Sequence, residues 1–238
     1  MTIVFASISQ SSIAISVDSA VARYFDNRTE YTTGKKAVAF KGLGCVATWG
    51  DRTGNRIFQF LDQLDPEKRV LSVEELANIV REYLQNEYRP HENERGDVGF
   101  YVTGFDQKGS PRLFQNLWAR EARNSHRTSE LIYHWYDSSP DPNTFRFYYD
   151  GRFNLAQSVF KVVIDEFNEG TEIPFDITND TGRIKLHDFV LRFSSELTQD
   201  VGPPFITYLI KPSNKIIRFR SEGETAISTE EIVRARKL

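Results

Sequence analysis

Thr2 stands directly after Met1, at the head of the apolar run Ile3-Val4-Phe5. With Met1 removed, this one residue would carry both a hydroxyl nucleophile and a free α-amine. Such an amine can act as the nucleophile's own general base, so no histidine is required. Its ordinary pKa of about 7.7–8.0 lies near working pH, where a general base is most useful. Three further positions draw attention, although each has an ordinary reading when taken alone. Asp18 is a strand-end turn residue. Lys35-Lys36 is a solvated pair at a strand start. Gly50 ends a strand ahead of a helix, for which Asp51 or Thr53 is a candidate N-cap.

The elements that would position these residues can be read from periodicity. Thr2 to Ile8 and Ser12 to Val17 alternate as the two arms of a β-hairpin, with Gln10-Ser11 at its turn. The polarity of Arg23 to Gly34 predicts a loop. Lys36 to Phe40 and Leu43 to Trp49 read as a second strand pair. Ile57, Phe60, Leu61 and Leu64 fall on one helix face, closed by Pro66. Ser72 and Glu75 form a capping box for a second helix through Leu84. Val98 to Phe105, Arg112 to Ala119 and Phe145 to Tyr149 read as strands. Leu155 to Val163 predicts a third helix. Leu186 to Leu197 predicts a fourth, running to near Asp200, with Pro203-Pro204 blocking continuation. Phe205 to Ile210 and Lys215 to Phe219 form a last hairpin, and Ser228 to Glu231 starts a short terminal helix. Strand runs alternating with helix pairs predict two stacked sheets flanked by helix layers, a four-layer αββα sandwich of α+β class. We expect one domain over residues 1–238, with an insertion at 120–144.

Composition excludes several function classes. The chain has 238 residues, formal net charge −3 and a single cysteine. No basic field points to nucleic acid or a membrane surface. No disulfide can form within the chain, which suits a reducing compartment, so a cytoplasmic location is expected. No apolar run approaches a membrane span, and no basic flank precedes an apolar stretch as in a secretory signal. Cys45 reads as an inert buried thiol. His91, His126, His134 and His187 lack metal-ligand spacing and read as structural or surface groups. No cofactor is expected.

The pieces Thr2-Ile3-Val4, Val17-Asp18-Ser19, Lys35-Lys36 and Val46-Ala47-Thr48-Trp49-Gly50-Asp51 resemble the proteasome β-type peptidases, including the simpler bacterial ring peptidase of that family. These are N-terminal nucleophile hydrolases. The resemblance implies Thr2 as nucleophile with its amine as base. Lys36 would lie near the hydroxyl, where its charge favours a neutral amine and a more easily ionised hydroxyl. Lys35 is the weaker candidate for this lysine, because the loop from Asp18 to Lys36 is about two residues longer than usual. Asp18 would hold the lysine, and the Gly50 N–H would donate to the oxyanion. Ala22 would pair with an extended peptide, and Thr48 would lie at the base of the first specificity pocket. Asp200 matches an acidic position of the family, but Val201-Gly202-Pro203-Pro204 follows it instead of a serine and glycines. Tyr149-Asp150-Gly151 likewise replaces a serine-bearing turn. The resemblance implies a threonine-type peptidase acting on a peptide or protein, a homo-oligomeric ring and an ATP-dependent unfoldase as partner. The alternative is a catalytically inactive proteasome-like assembly or binding subunit. A third reading is an amidase of the same fold acting on a small amide.

Overall fold

The computed structural model describes residues 2–50, 56–63, 72–88, 98–119, 130–137, 145–151, 155, 157–162 and 176–237. Alternation along the first hairpin gives β1 (Ile3–Ile8) and β2 (Ile13–Val17), which pair antiparallel with Val4 opposite Val17. The turn is tied by the Ser9 hydroxyl, which accepts from the N–H of Ser11 and of Ser12. β3 (Ala20–Phe25) and β4 (Arg28–Thr33) follow as a two-stranded ribbon. This replaces the loop expected over 23–34. The polar composition arises because β4 is exposed along nearly its whole length.

β5 (Ala37–Phe40), β6 (Gly44–Gly50), β7 (Val98–Phe105), β8 (Pro111–Ala119) and β9 (Glu130–Asp137) form a five-stranded antiparallel sheet in that order. β9 falls inside the segment expected to be an insertion. The second five-stranded sheet has the order β10 (Arg146–Gly151), β1, β2, β11 (Phe205–Lys211) and β12 (Lys215–Ser221). β1 is therefore interior, flanked by β2 on one side and β10 on the other.

Among the described residues, four bounded α-helices accompany the sheets. They are α1 (Arg56–Gln63), α2 (Val73–Tyr83), α3 (Asp180–Leu197) and α4 (Thr229–Lys237), with a helical stretch at 157–162. The Ser72–Glu75 capping box forms as the sequence predicts. α3 begins earlier than its apolar periodicity suggests, because the Asn179 side chain caps it by accepting from the Gly182 N–H. Ser228 and Glu231 form a reciprocal cap on α4.

Alternation sorts the strand residues into separate cores. Val4, Ala6, Ile15 and Val17 face Ala37, Cys45, Ala47, Trp49 and Tyr101 between the two sheets. On the other face of β1, Ile3 and Phe5 pack with Leu186, Val190 and Leu191 of α3. On the far face of the other sheet, Val46, Phe100 and Val102 pack with Leu76, Ala77 and Val80 of α2. Asn214 clamps the sheets together: its amide accepts from the Phe105 N–H at 2.7 Å and donates to the Phe105 carbonyl at 2.9 Å. The fold is thus mixed α/β with more strand than helix. The predicted Pro66 stop, Asp51, Thr53, His91 and His126 lie outside the described residues. No described helix is long and apolar enough to cross a membrane.

Candidate active site

Thr2 lies at the entrance of β1 and is 2% exposed. Two strand ends close on it. β2 runs out at Val17, so Asp18 emerges beside Ile3; β10 runs out at Gly151, which stands opposite Ile3.

Asp18 is fully buried and takes donors from every direction. Oδ1 accepts from the Ile3 N–H at 3.0 Å. Oδ2 accepts from the Ala20 N–H at 3.0 Å and from the Lys36 ammonium at 2.6 Å. The Gly202 N–H approaches the same oxygen at 3.4 Å. Both side chains of the Lys36–Asp18 ion pair are fully buried, so attraction is screened far less than at the surface. Asp18 thereby joins the backbone next to Thr2, the head of β3, the turn after α3 and the lysine ahead of β5. Lys35 instead points outward to an exposed pair with Asp62, which separates the two candidate lysines.

The remaining sequence candidates lie on β6, on β3 and in the turn after α3. Gly50 ends β6 opposite Val98 with φ of +95°, a conformation that favours glycine. Thr48 is fully buried, donates its N–H to the Lys36 carbonyl, and donates its hydroxyl to the Gly99 carbonyl at 3.0 Å. Ala22 sits on β3 opposite Tyr31. Asp200 is buried in the turn after α3, where its N–H donates to the Thr198 hydroxyl. Two residues on, Gly202 reaches Asp18 and takes the Ser19 N–H on its carbonyl at 2.9 Å.

A second acid was missed as a site residue. Asp150 stands opposite Val4 on β10. Its Oδ2 accepts from the Tyr101 hydroxyl and the Gln115 amide, each at 2.5 Å, so the contact crosses from one sheet to the other. Burial dominates over these two donors and pushes its carboxyl up to about 6. The adjoining Gly151 has φ of +91°, and a Cβ there would collide with the Thr2 carbonyl oxygen. The sequence signals were an Asp-Gly pair at a strand end, which usually marks a turn, and its place where the resemblance expects a serine.

Away from this corner, His187 is fully buried, and its ring nitrogens meet the Ser16 and Ser7 hydroxyls at 2.7 and 2.8 Å. Burial holds it well below the usual imidazole range. Cys45 is buried between the sheets, and desolvation raises its thiol strongly. Among the described residues no cluster of His, Cys, Asp or Glu is placed to hold a metal ion.

No family model and no curated protein matches the chain. Solved structures do match in fold. A Gly-1 mutant of Anbu from Hyphomicrobium sp. strain MC1 aligns over 100% of this chain and 94% of its own, with TM-score 0.63 and 13% identity. Anbu from Yersinia bercovieri, described as an ancestral beta-subunit, aligns over 99% and 92%, with TM-score 0.63 and 14% identity. The helical assembly of the Anbu complex from Pseudomonas aeruginosa aligns over 99% and 91%, with TM-score 0.63 and 15% identity. At these identities the likeness is one of fold. It corrects the resemblance to proteasome β-type peptidases, because the structural neighbours are Anbu proteins, a proteasome-like but distinct family. The physical reason lies in the spacing. The distances in sequence from Thr2 to Asp18 and on to Lys36 are set by the first hairpin and the β3–β4 ribbon. They follow the shared fold and do not discriminate between families that have it.

Proposed function

We propose that the chain is a subunit of a homo-oligomeric, Anbu-like assembly and that Thr2 forms an N-terminal nucleophile site within it. The assembly reading is supported by the full-length likeness to Anbu, one structure of which is a helical assembly. The single observation that carries the site reading is the buried Lys36–Asp18 pair, anchored to the backbone N–H next to Thr2. We further read the three cores as the four-layer αββα arrangement of such hydrolases. The chain is taken as one domain over 1–238 and placed in the cytoplasm.

In the proposed reaction, Met1 is removed and the Thr2 hydroxyl attacks an amide carbonyl of a peptide as the α-amine takes its proton. Lys36 favours the neutral amine, and Asp18 holds Lys36 in place. The N–H of Gly50 donates to the tetrahedral oxyanion. The amine then protonates the leaving nitrogen, and water activated by the same amine hydrolyses the ester on Thr2. Ala22 offers backbone pairing to an extended substrate, Thr48 shapes the first pocket, and Asp200 supports the turn that reaches Asp18.

The second reading is an assembly subunit without turnover. It is favoured by Asp150 and Val201-Gly202 standing where the expected serines are absent. Intact mass of the native chain, sedimentation, and hydrolysis of a fluorogenic peptide panel together test both. We expect loss of Met1, an oligomer, and a fall in kcat of at least about a thousandfold for Thr2→Ala. Retained Met1 or equal rates for Thr2→Ala would reject the nucleophile and leave the assembly reading. A monomer would reject the assembly.

A further inference from the structure

We propose that Asp150 is a positioning residue for Thr2, setting the place of the β10 end that abuts the Thr2 carbonyl through its grip on Tyr101 and Gln115. The chain of contact is short. Tyr101 on β7 and Gln115 on β8 hold the Asp150 carboxylate from the facing sheet. Asp150 is bonded to Gly151, and Gly151 lies so close to the Thr2 carbonyl that no side chain fits between them. Val4 stands opposite Asp150 in register, and period-2 alternation puts Thr2 on the same face as Val4. Asp150 and Thr2 thus share the inter-sheet face on neighbouring strands, one diagonal step apart.

The restraint depends on charge. Ionised, the carboxylate accepts two charge-assisted hydrogen bonds; protonated, it holds the same donors more weakly. The carboxyl titrates at about 6, so the change falls within a range where a protein works. The groups around it are Tyr101 from β7, Gln115 from β8 and the apolar Val4 from β1. His134 stands opposite Gln115 in register on β9. On the far side of β1 is the Asp18–Lys36 pair. The consequence for catalysis rests on the reading of Thr2 as nucleophile; the mechanical coupling of Asp150 to Thr2 does not.

The Thr2 γ2-methyl resonance, followed by NMR against pH in the full-length assembled chain, tests the coupling without any turnover. We expect an inflection near pH 6 in the wild type that disappears in Asp150→Asn and survives in His134→Gln. Tyr101→Phe should move the inflection upward, which provides a second reading if Asp150→Asn does not fold. A flat wild-type profile would overturn the proposal, as would an inflection that persists in Asp150→Asn or vanishes only in His134→Gln. Hydrolysis of a peptide amide, measured in parallel, separates the two claims. If the wild type is inactive, the nucleophile reading fails and the resonance still decides the coupling. If it is active, Asp150→Asn should remove an acid limb near pH 6 from the kcat profile, and an unchanged profile would also overturn the proposal.

Discussion

Asp18 and Asp150 occupy the two strand ends on either side of β1, and they are held in opposite ways. Asp18 has no exposed surface and takes three backbone N–H groups and an ammonium. Asp150 is partly buried and is held through one oxygen by two neutral donors. The first arrangement sets a carboxylate against an ammonium, both out of water. The second leaves burial to oppose ionisation, so the charge can change. The same end of one strand is thus braced by an ion-paired carboxylate and by one held by neutral donors. The proposed nucleophile site would draw on the first. A response to acidity near pH 6 is expected from the second.

Breaking the ion-paired anchor has the largest expected effect. Asp18→Ala leaves Lys36 charged and buried without its partner, which costs about 3–5 kcal/mol of stability. Urea unfolding measures it, and Lys36→Met added to Asp18→Ala should recover part of the loss. A cost below about 1 kcal/mol would mean that the pair does not anchor this corner.

Asp150→Asn should act in the opposite direction. Burial pushes the folded-state carboxyl up to about 6, above its ordinary value of 3.8. The folded protein therefore binds more protons than the unfolded chain between those values, and wild-type stability falls as pH rises from about 4 to about 6. Asn carries no charge and escapes this loss. The variant should be more stable above pH 7 by up to about 3 kcal/mol, since one pKa unit is worth about 1.4 kcal/mol. The gain should vanish below pH 4. Unfolding curves at pH 4 and pH 8 check both sign and window.

How much of this contrast is legible in the sequence depends on range. Thr2 and Asp18 can be singled out because a hairpin of alternating residues leads from one to the other, whereas Lys36 is picked out only by the family resemblance. The capping box at Ser72 and Glu75 is equally local, and it forms. The β3–β4 ribbon escapes the period-2 reading because β4 meets water along nearly its whole length, leaving only the Asp26-Asn27 turn and threonines as signals. β9 hides within a stretch where the surrounding turn residues outweigh Leu131 to Tyr136. Asp150 is the hardest to foresee. Its partners lie 49 and 35 residues away on the facing sheet, a contact made by stacking and not by spacing.

Gly151→Ala probes whether the titratable corner touches Thr2 at all. At φ of +91° an alanine is strained, and its Cβ would enter the Thr2 carbonyl. We expect a loss of about 1–3 kcal/mol together with a shift of the Thr2 methyl resonance at every pH. A variant as stable as wild type with an unmoved resonance would separate the two corners.

The smallest effect sharpens the contrast most finely. Tyr101→Phe removes one of the two donors to Asp150 and keeps the ring that packs against Trp49 with centroids 4.8 Å apart. The lost hydrogen bond should cost about 1 kcal/mol at pH 5, where the carboxyl is mostly neutral. At pH 8 the loss should be greater, because a bond to the ionised form is then given up. The tyrosine hydroxyl lowers the Asp150 pKa, so its removal should push the midpoint above 6. A carbon-detected titration of the Asp150 carboxyl reads that shift directly. An unmoved midpoint would mean that Tyr101 packs beside the acid without holding its charge, and the two corners would then differ in burial alone.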